Sequence, residues 1–301
     1  MSLDMIASYF RRAGLSLFII TVAALTFFSS RLNAETKDEA ENKVSQAVDS
    51  YVRYMPARHE YGASGKVGII ESGAEYSYEF KAFDKLPVKL SIDNNYIGIE
   101  NTQDSIELPA HLVKVSTDIE TTVPFFKFNN TYLRMGISPS FYGDDWDFNT
   151  SAFRIPNRYF LIYQPNERWT FLYGVAYYPD FEYNILPIVG FIYKPNDKLA
   201  FNITPKRPNI TYSLNDRIAL FVEGGTTFGQ FIVTRDNLKN IALQYRETHL
   251  GSGIKFKLNQ YIQASISAGG EFNRYLEYTD SQGKVDIKNG LYTEFRLQIR
   301  P

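Results

Sequence analysis

The fold is decided by YIQASISAGGEFNRYLEY at residues 261–278, followed by IKNGLYTEFRLQIR at residues 287–300. In both stretches apolar and polar side chains alternate one by one. In the second stretch Phe295 lies on the apolar face, whereas Glu294 and Arg296 lie on the polar face. A period of two is the signature of a β-strand with one apolar and one polar face. Both runs are longer than the roughly 5–6 residues of a strand in a soluble domain.

The same period recurs along most of the chain after residue 65. A tilted transmembrane β-strand needs about 9–11 residues, which most of these runs supply. The predicted strands span residues 66–80, 87–99, 111–127, 131–141, 153–164, 168–178, 185–194, 198–204, 209–214, 217–234, 241–258, 261–278 and 287–300. These are thirteen strands, whereas single-chain bacterial barrels have an even number of strands. The number becomes even if a further strand lies near 50–58, or if 198–214 is one irregular hairpin. The pattern predicts an all-β, transmembrane, antiparallel up-and-down β-barrel of about 12 strands, within a range of 10–14.

Asparagine-containing turns separate several of these runs. Gln164-Pro165-Asn166-Glu167-Arg168-Trp169 is repeated as Lys194-Pro195-Asn196-Asp197-Lys198-Leu199, with shorter versions at 214–217 and 258–261. Proline favours the first central position of a turn, and asparagine bonds to nearby backbone. These segments predict short hairpin turns on one rim, with longer connections on the other.

Composition excludes several classes of protein. The 301 residues carry 32 Lys+Arg and 33 Asp+Glu, so no basic excess exists to hold a nucleic acid. Cysteine is absent, which excludes disulfide scaffolds, cysteine-based metal sites and a lipidated lipoprotein. Aromatic residues make up 16%, and Tyr and Phe suit strands and membrane interfaces. The mean hydropathy of −0.27 argues against a bundle of membrane-spanning helices.

The N-terminus resembles an export signal. Arg11 and Arg12 precede an apolar run at residues 15–28, and a cleavage site is predicted after Ala34. The alternative is an uncleaved anchor, but the run is about 14 residues and a spanning helix needs about 20. We therefore predict a signal peptide at 1–34, a flexible or short helical leader at 35–50 and the barrel at 51–301. This organisation predicts the outer membrane of a Gram-negative bacterium.

In a barrel of this size the apolar face meets lipid and the polar face meets the interior. The predicted lumen-facing charges are Asp118, Glu120, Arg134, Glu223, Glu271, Glu294 and Arg296. Their signs are mixed, whereas a strongly ion-selective pore shows mainly one sign. A plug of mutually paired side chains and a water-filled pathway both remain open at this point.

One segment invites a catalytic interpretation. His249 lies near Glu247 and Ser252, and a base flanked by a carboxylate and a hydroxyl is typical of hydrolases. In a regular strand, however, Glu247 and His249 share one face and Ser252 takes the other. His59 and His111 belong to no such group. We therefore expect no catalytic residue.

Two further features have both a binding and a structural interpretation. Asp144, Asp145 and Asp147 form an acidic loop that is a weak candidate for a divalent cation, or simply a solvated turn. Glycines at 224–225, 251/253 and 269–270 permit close approach of a ligand, or the curvature that closes a barrel. No phosphate-binding or dinucleotide motif is present, so no cofactor is expected.

The region LPIVGFIYKPNDKLAFNITPKRPNITYSLNDRIALFVEGGTTFG at 186–229 resembles an uncharacterised family of outer-membrane β-barrel proteins, classed as a domain of unknown function. The resemblance covers about 65–301. Its recurring elements are Leu186-Pro187, Pro195-Asn196-Asp197, Pro205 with Pro208, Tyr212 through Arg217, and Glu223-Gly224-Gly225. The resemblance implies location and fold, and it implies no reaction.

The sequence thus predicts an outer-membrane β-barrel with a structural, interaction or narrow, porin-like passive channel role. The alternatives are a membrane-embedded hydrolase of lipid or surface peptide and a soluble periplasmic β-sandwich that binds a ligand. The expected surroundings are outer-membrane lipid and lipopolysaccharide, with barrel-assembly machinery during biogenesis and no nucleic acid.

Overall fold

Strands make up nearly all of the computed structural model. It describes residues 45–83, 86–102, 106–126, 128–146, 150–181, 183–235, 238–279 and 283–300. The strands in this part are β1 (Ser45–His59), β2 (Lys66–Ala82), β3 (Leu86–Asn101), β4 (His111–Pro124), β5 (Thr131–Ile137), β6 (Ser140–Gly143), β7 (Phe153–Arg154), β8 (Asn157–Asn166), β9 (Trp169–Tyr177), β10 (Ile185–Tyr193), β11 (Leu199–Ile203), β12 (Asn209–Ser213), β13 (Ile218–Arg235), β14 (Leu238–Lys257), β15 (Ile262–Tyr278), β16 (Lys284–Ile287) and β17 (Gly290–Ile299). The described residues contain one 3₁₀ turn, Thr150–Ala152, and no helix long and apolar enough to cross a membrane.

The strands form one antiparallel sheet that closes on itself. Except where a strand is interrupted, consecutive strands pair with each other, and β1 pairs with β17 from Val48↔Ile299 to Tyr54↔Thr293. Three strands of the barrel are interrupted, so that each of them carries two labels: β5 with β6, β7 with β8, and β16 with β17. When each interrupted strand is counted once, the described part of the barrel has fourteen strands.

Fourteen strands is the upper end of the predicted range, so the preferred number of 12 is wrong. One reason is that β11 and β12 pair with each other from Leu199↔Tyr212 to Asn202↔Asn209, and so count as two short strands. The other is β1, which begins at Ser45 and pairs on both sides. Residues 45–50 therefore belong to the barrel and not to a leader. The predicted signal peptide, its cleavage after Ala34 and the rest of the leader lie outside the described residues.

The predicted asparagine turns are present at one rim, here named the short-turn rim. The Asn196 side chain accepts hydrogen bonds from the backbone N–H groups of Lys198 and Leu199, at 2.9 and 3.0 Å. Asn166, Asn215 and Asn259 do the same in their own hairpins. One side chain thus satisfies two backbone donors in each turn, which fixes the hairpin register.

The wall is uneven in height. From the short-turn rim β13, β14 and β15 extend for 17–20 residues, whereas β9 and β10 have 9 and β11 and β12 have 5. Beyond the short strands, β13 contacts β6 directly through the pair Ile232↔Gly143. The ends of the long strands therefore close into a narrower barrel beyond the ends of the short strands. We name this part of the barrel the cap.

The polarity of the two faces inverts between the lower barrel and the cap, as β14 shows. Near the short-turn rim its exposed outward side chains are apolar: Leu250, Ile254 and Phe256. The alternate side chains there point inwards and are polar: Glu247, His249 and Lys255. Beyond Thr248 the inward side chains are apolar and buried: Ile241, Leu243 and Tyr245. The cap is thus packed like a small water-soluble β-barrel, with its apolar core inside.

A bulge corrects one expectation for β15. Simple alternation places Leu276 and Tyr278 on the same face as Ile266. Asn273 has a φ of 50°, and the β14–β15 register shifts between Arg246 and Thr248. The extra residue exchanges the faces, so Leu276 and Tyr278 are buried inside the cap whereas Ile266 is exposed outside.

Candidate functional site: the charged interior of the barrel

A buried arginine lies inside the barrel just below the cap. Arg53 on β1 is 5% exposed. Its Nη1 lies 2.6 Å from Glu247 Oε1 on β14 and 3.4 Å from Glu71 Oε2 on β2. Its Nε and Nη2 lie 3.1 and 2.8 Å from Glu294 Oε2 on β17. One guanidinium therefore connects three buried carboxylates on three strands, and we name these four residues the Arg53 cluster.

Further polar side chains surround the Arg53 cluster. Glu71 Oε1 accepts hydrogen bonds from Tyr51 Oη at 2.6 Å and Asn95 Nδ2 at 2.9 Å. The imidazole of His249 lies 3.3 Å from the Arg53 guanidinium, and Tyr292 places its ring 5.2 Å from the same group. Hydrogen bonds to charged groups are stronger than those between neutral groups, especially in an interior without water. They make the Arg53 cluster a rigid link between the strands that carry it.

A second layer of ion pairs lies nearer the short-turn rim. Arg207 donates from Nε to Glu223 Oε2 at 2.7 Å and from Nη2 to Glu294 Oε1 at 2.8 Å. Arg296 donates to Glu294 at 3.2 Å and to Asp49 at 2.7 Å. Glu294 thus joins this layer to the Arg53 cluster.

The connection between β11 and β12 folds into the interior. Its Lys206 Nζ lies 2.7 Å from Glu75 Oε2 on β2, although five strands of the wall separate β12 from β2. The Lys206 side chain is 80% exposed. A side chain that is enclosed by the wall and yet exposed must lie in space that water can enter. The barrel is therefore open inside at this level and closed above it by the Arg53 cluster and the cap core.

The structure places the seven predicted lumen charges as follows. Glu223, Glu271 and Glu294 are buried, and Asp118, Glu120, Arg134 and Arg296 are half-buried, all on inward positions of their strands. Arg158 pairs with Asp118 and Glu120 at 2.9 and 2.8 Å. Arg134 donates to Thr122, and Arg274 lies 2.9 Å from Glu271. Six of the seven thus have an ion-pair partner of opposite sign.

Sequence reasoning missed Arg53, Glu71, Lys206 and Arg207. Arg53 lies in the stretch whose strand was only inferred from parity, and Glu71 was not singled out in its run. Lys206 and Arg207 stand between two prolines, a pattern that predicts a turn. No local signal shows that this turn points inwards.

The structure separates the catalytic candidates, and it describes two of the three metal candidates. Ser252 is exposed on the outer face of β14, whereas Glu247 and His249 lie inside, 3.3 Å apart. Asp144 accepts a hydrogen bond from the backbone of Thr234, and Asp145 from Trp146. Asp147 lies outside the described residues. Among the residues that are described, no group of three acidic or histidine side chains converges as metal ligands would.

The glycines make room for inward aromatic rings. A Cβ at Gly225 would lie 2.8 Å from the His249 ring, and one at Gly251 would meet the Tyr292 hydroxyl. These contacts support a structural role for both glycines.

Comparisons with solved structures return outer-membrane barrels. The chain is similar to an outer membrane channel from Pseudomonas putida F1, with 9% identity, a TM-score of 0.46, and 89% of this chain and 100% of that chain covered. It is similar to a FadL homologue from Pseudomonas aeruginosa, with 12% identity, a TM-score of 0.41, and 87% of this chain and 90% of that chain covered. It is also similar to LpxR from Salmonella typhimurium, with 9% identity, a TM-score of 0.39, and 84% of this chain and 99% of that chain covered. No curated protein matches the chain.

A family model matches residues 87–297, which is more than two thirds of the chain. Its description is Domain of unknown function (DUF6268). The match contains the proline and asparagine motifs at 186–229 on which the resemblance was based, and the expected membership is confirmed. The chain belongs to the DUF6268 family.

Proposed function

We propose that the protein is an outer-membrane β-barrel whose interior is a narrow passive channel, closed in the present conformation. The observation that carries the membrane location is the belt of exposed apolar side chains around the lower barrel. It includes Ile92, Ile137, Tyr173, Val189, Val222, Leu250, Ile266 and Leu291. Apolar surface of this extent is costly in water and favourable in lipid.

The two rims give the orientation. Bacterial barrels have short periplasmic turns and longer outer connections. The short-turn rim would then lie in the periplasm, with lipopolysaccharide around the outer end and the cap exposed outside. Export by the predicted signal peptide and insertion by barrel-assembly machinery belong to the same proposal.

The interior supports a closed channel. The cap core seals the outer end, and the buried Arg53 cluster lies inside the wall formed by β14, β17, β1 and β2. Below both, the exposed Lys206 indicates water-accessible space. A solute would pass only if the cap core opened and the β11–β12 connection, whose Arg207 holds Glu294 of the Arg53 cluster, moved aside.

The two alternatives have less support. A β-sandwich needs two stacked sheets, whereas this sheet closes on itself and exposes apolar side chains outside. A hydrolase would need a nucleophile beside Glu247 and His249, and Ser252 lies on the opposite face. We therefore propose a role without catalysis.

The membrane location is tested by gel mobility of the protein in outer-membrane fractions. A folded barrel resists SDS until it is boiled, so unheated and boiled samples should migrate differently. Identical migration, with release of the protein as a soluble periplasmic species, would contradict the proposed location.

The channel is tested by planar-bilayer recordings of the refolded protein. We expect rare, small conductance steps, and more frequent openings when Lys206→Gln and Arg207→Gln remove the ion pairs of the β11–β12 connection. Lys198→Gln with Arg217→Gln, at exposed turns of the short-turn rim, is the matched control. Silence in every variant, with normal gel mobility, would leave a purely structural barrel.

A further inference from the structure

The interior of the cap is not apolar throughout. Four charged side chains point inwards along one side of it, and we name them the polar seam: Arg58 near the end of β1, Glu60 just after β1, and Glu271 and Arg274 on β15. Arg58 is half-buried, and the other three are at most 4% exposed. Arg58 pairs with Val67 and Arg274 pairs with Ile287, both residues of the cap core, which shows the inward direction.

The polar seam lacks hydrogen-bond partners within the protein. Arg274 Nη1 lies 2.9 Å from Glu271 Oε2, but the approach is not aligned as a hydrogen bond. In the part of the chain that the structure describes, twelve buried side-chain nitrogen and oxygen atoms make no hydrogen bond, and seven of them belong to the polar seam. Two more, on Tyr245 and Glu247, lie opposite residues 272–276 of β15. Buried polar groups that the protein leaves unpaired bind water.

The polar seam begins at the Arg53 cluster. Glu271 is the cross-strand partner of His249. The His249 ring lies 3.3 Å from both Glu247 and Arg53. On its other side, the Arg53 cluster is joined through Glu294 to the second layer of ion pairs. Polar groups therefore follow one another from the open interior to the cap.

Two guanidinium groups meet over a glycine in the middle of the polar seam. A Cβ at Gly290 would lie 3.3 Å from Arg274 Nη1 and 3.3 Å from Arg58 Nε. One level further out, Ile287 has Arg274 as its partner on one side and Glu60 on the other. The polar seam therefore runs from the Arg53 cluster to the outer end of β1.

The strand pairing is interrupted beside the polar seam. β1 pairs with β17 as far as Tyr54, and its pairing with this side of the wall resumes at Glu60. Within the described residues, 55–58 and 289–292 form no backbone pair with each other. The wall can therefore part at this point without breaking strand hydrogen bonds.

The two halves of the polar seam are held together weakly. Among the described residues, no ion pair joins Arg58 or Glu60 to β15. Separating them leaves the contact between Glu271 and Arg274 intact and lets water reach charged groups. Opening the apolar side of the cap core would instead expose apolar surface to water, which is unfavourable. The cap is therefore easiest to open along the polar seam.

We propose that the polar seam is the path through the cap when the channel opens, and that it admits water and small inorganic ions but no large organic ion. The path is narrow because Arg58 and Arg274 both reach the same glycine. It carries two positive and two negative side chains, so neither sign of ion is strongly favoured. This route rests on the channel role proposed above, and it adds the class of solute.

The route is tested by planar-bilayer recordings of the full refolded protein in KCl. Glu271→Leu with Arg274→Met replaces a buried ion pair by apolar side chains, a change that is often neutral or stabilising, so the barrel should fold. Openings should become about tenfold rarer or more, because opening now exposes two apolar side chains to water. Glu277→Leu with Lys284→Met removes an exposed ion pair from the outer face of β15 and β16, and it should leave the openings unchanged.

The class of solute is tested by ion selectivity. Arg58→Gln removes a positive charge from the path, so the reversal potential in a KCl gradient should move towards the equilibrium potential of K⁺. Lys284→Gln removes the same charge from the outer face of the cap and should not move it. When N-methylglucamine gluconate replaces KCl, the conductance steps of the wild type should disappear.

The outcomes separate the route from the channel itself. Wild-type openings that are equally frequent in both double variants, or a reversal potential that Arg58→Gln does not move, would overturn the route and leave the channel standing. Conductance steps that persist in N-methylglucamine gluconate would overturn the class of solute. Absence of openings in the wild type would contradict the channel and the route together. All variants are first checked for heat-modifiable mobility, so that failure of the barrel to fold is recognised independently.

Discussion

Arg53 connects parts of the barrel that are far apart in sequence. It lies on β1, while Glu247 and Glu294 are 194 and 241 residues away. All three side chains are buried. Burying charges is costly unless each is paired, and removing one partner leaves the others uncompensated. Glu71 and Glu247 therefore depend mainly on this guanidinium, whereas Glu294 also pairs with Arg207 and Arg296.

Replacing Arg53 with methionine keeps an unbranched, flexible side chain but leaves Glu71, Glu247 and Glu294 without their shared cation. We expect a loss of about 3–5 kcal/mol in the free energy of unfolding. The measurement is the urea dependence of the heat-modifiable band in lipid vesicles.

Lys284→Met is the control for Arg53→Met. Lys284 is half exposed on the cap, and its hydrogen bond to Asp286 raises the pKa of the ammonium, so Lys284 carries its charge at neutral pH. An exposed pair contributes about 0–1 kcal/mol, so this variant should unfold almost as the wild type does. Equal stability of both variants would show that the Arg53 cluster is not a structural brace.

At the scale of elements, the bulge in β15 decides which side chains enter the cap. Asn273 has a left-handed φ of 50°, which asparagine tolerates better than most residues. Without the bulge, Leu276 and Tyr278 would point outwards and leave the cap core incomplete.

Asn273→Val should destabilise the protein by about 1–2 kcal/mol, because a β-branched residue is strained at this φ. Asn273→Gly relieves the strain and should be close to wild type, since the Asn273 side chain is exposed and makes no core contact. The urea midpoint of the heat-modifiable band measures both. If valine and glycine gave the same midpoint, the backbone conformation at residue 273 would not control the fold of the cap.

At the scale of the whole molecule, the inversion of polarity along the long strands marks the proposed upper edge of the membrane. Leu250 and Arg246 both point outwards on β14, and both are exposed. They are four residues apart, about 13 Å along the strand. Leu250 lies within the apolar belt, and Arg246 lies above it.

The chain has no cysteine, so single cysteines can report this edge without background. In proteoliposomes Arg246→Cys should react rapidly with a membrane-impermeant maleimide, whereas Leu250→Cys should react only after detergent is added. In detergent-denatured protein both should react at the same rate, which is the control. Equal reaction of the two cysteines in intact proteoliposomes would contradict the placement of the belt in lipid.

Much of the fold could be predicted because its signals are local. Alternation follows from the pleat of each strand, and Phe295, Glu294 and Arg296 show it without knowledge of any partner. Asn166 and Asn196 bond to backbone only two and three residues away, so their turns are also local. The preferred strand number was too low because residues 198–214 were counted as one irregular hairpin in order to reach an even number. In the structure this hairpin consists of two short paired strands, β11 and β12.

The sequence by itself determined the strand period, the hairpin turns and the sign of each inward charge, since these depend on neighbours along the chain. Only the tertiary structure decided that Arg53 meets Glu247, that Lys206 crosses to Glu75 and that Ser252 is kept from His249. It also decided where the faces invert, through a bulge and through strands of unequal length. The physical reason is closure: the pairing of β1 with β17 brings together residues about 240 positions apart, and no local pattern encodes which of them meet.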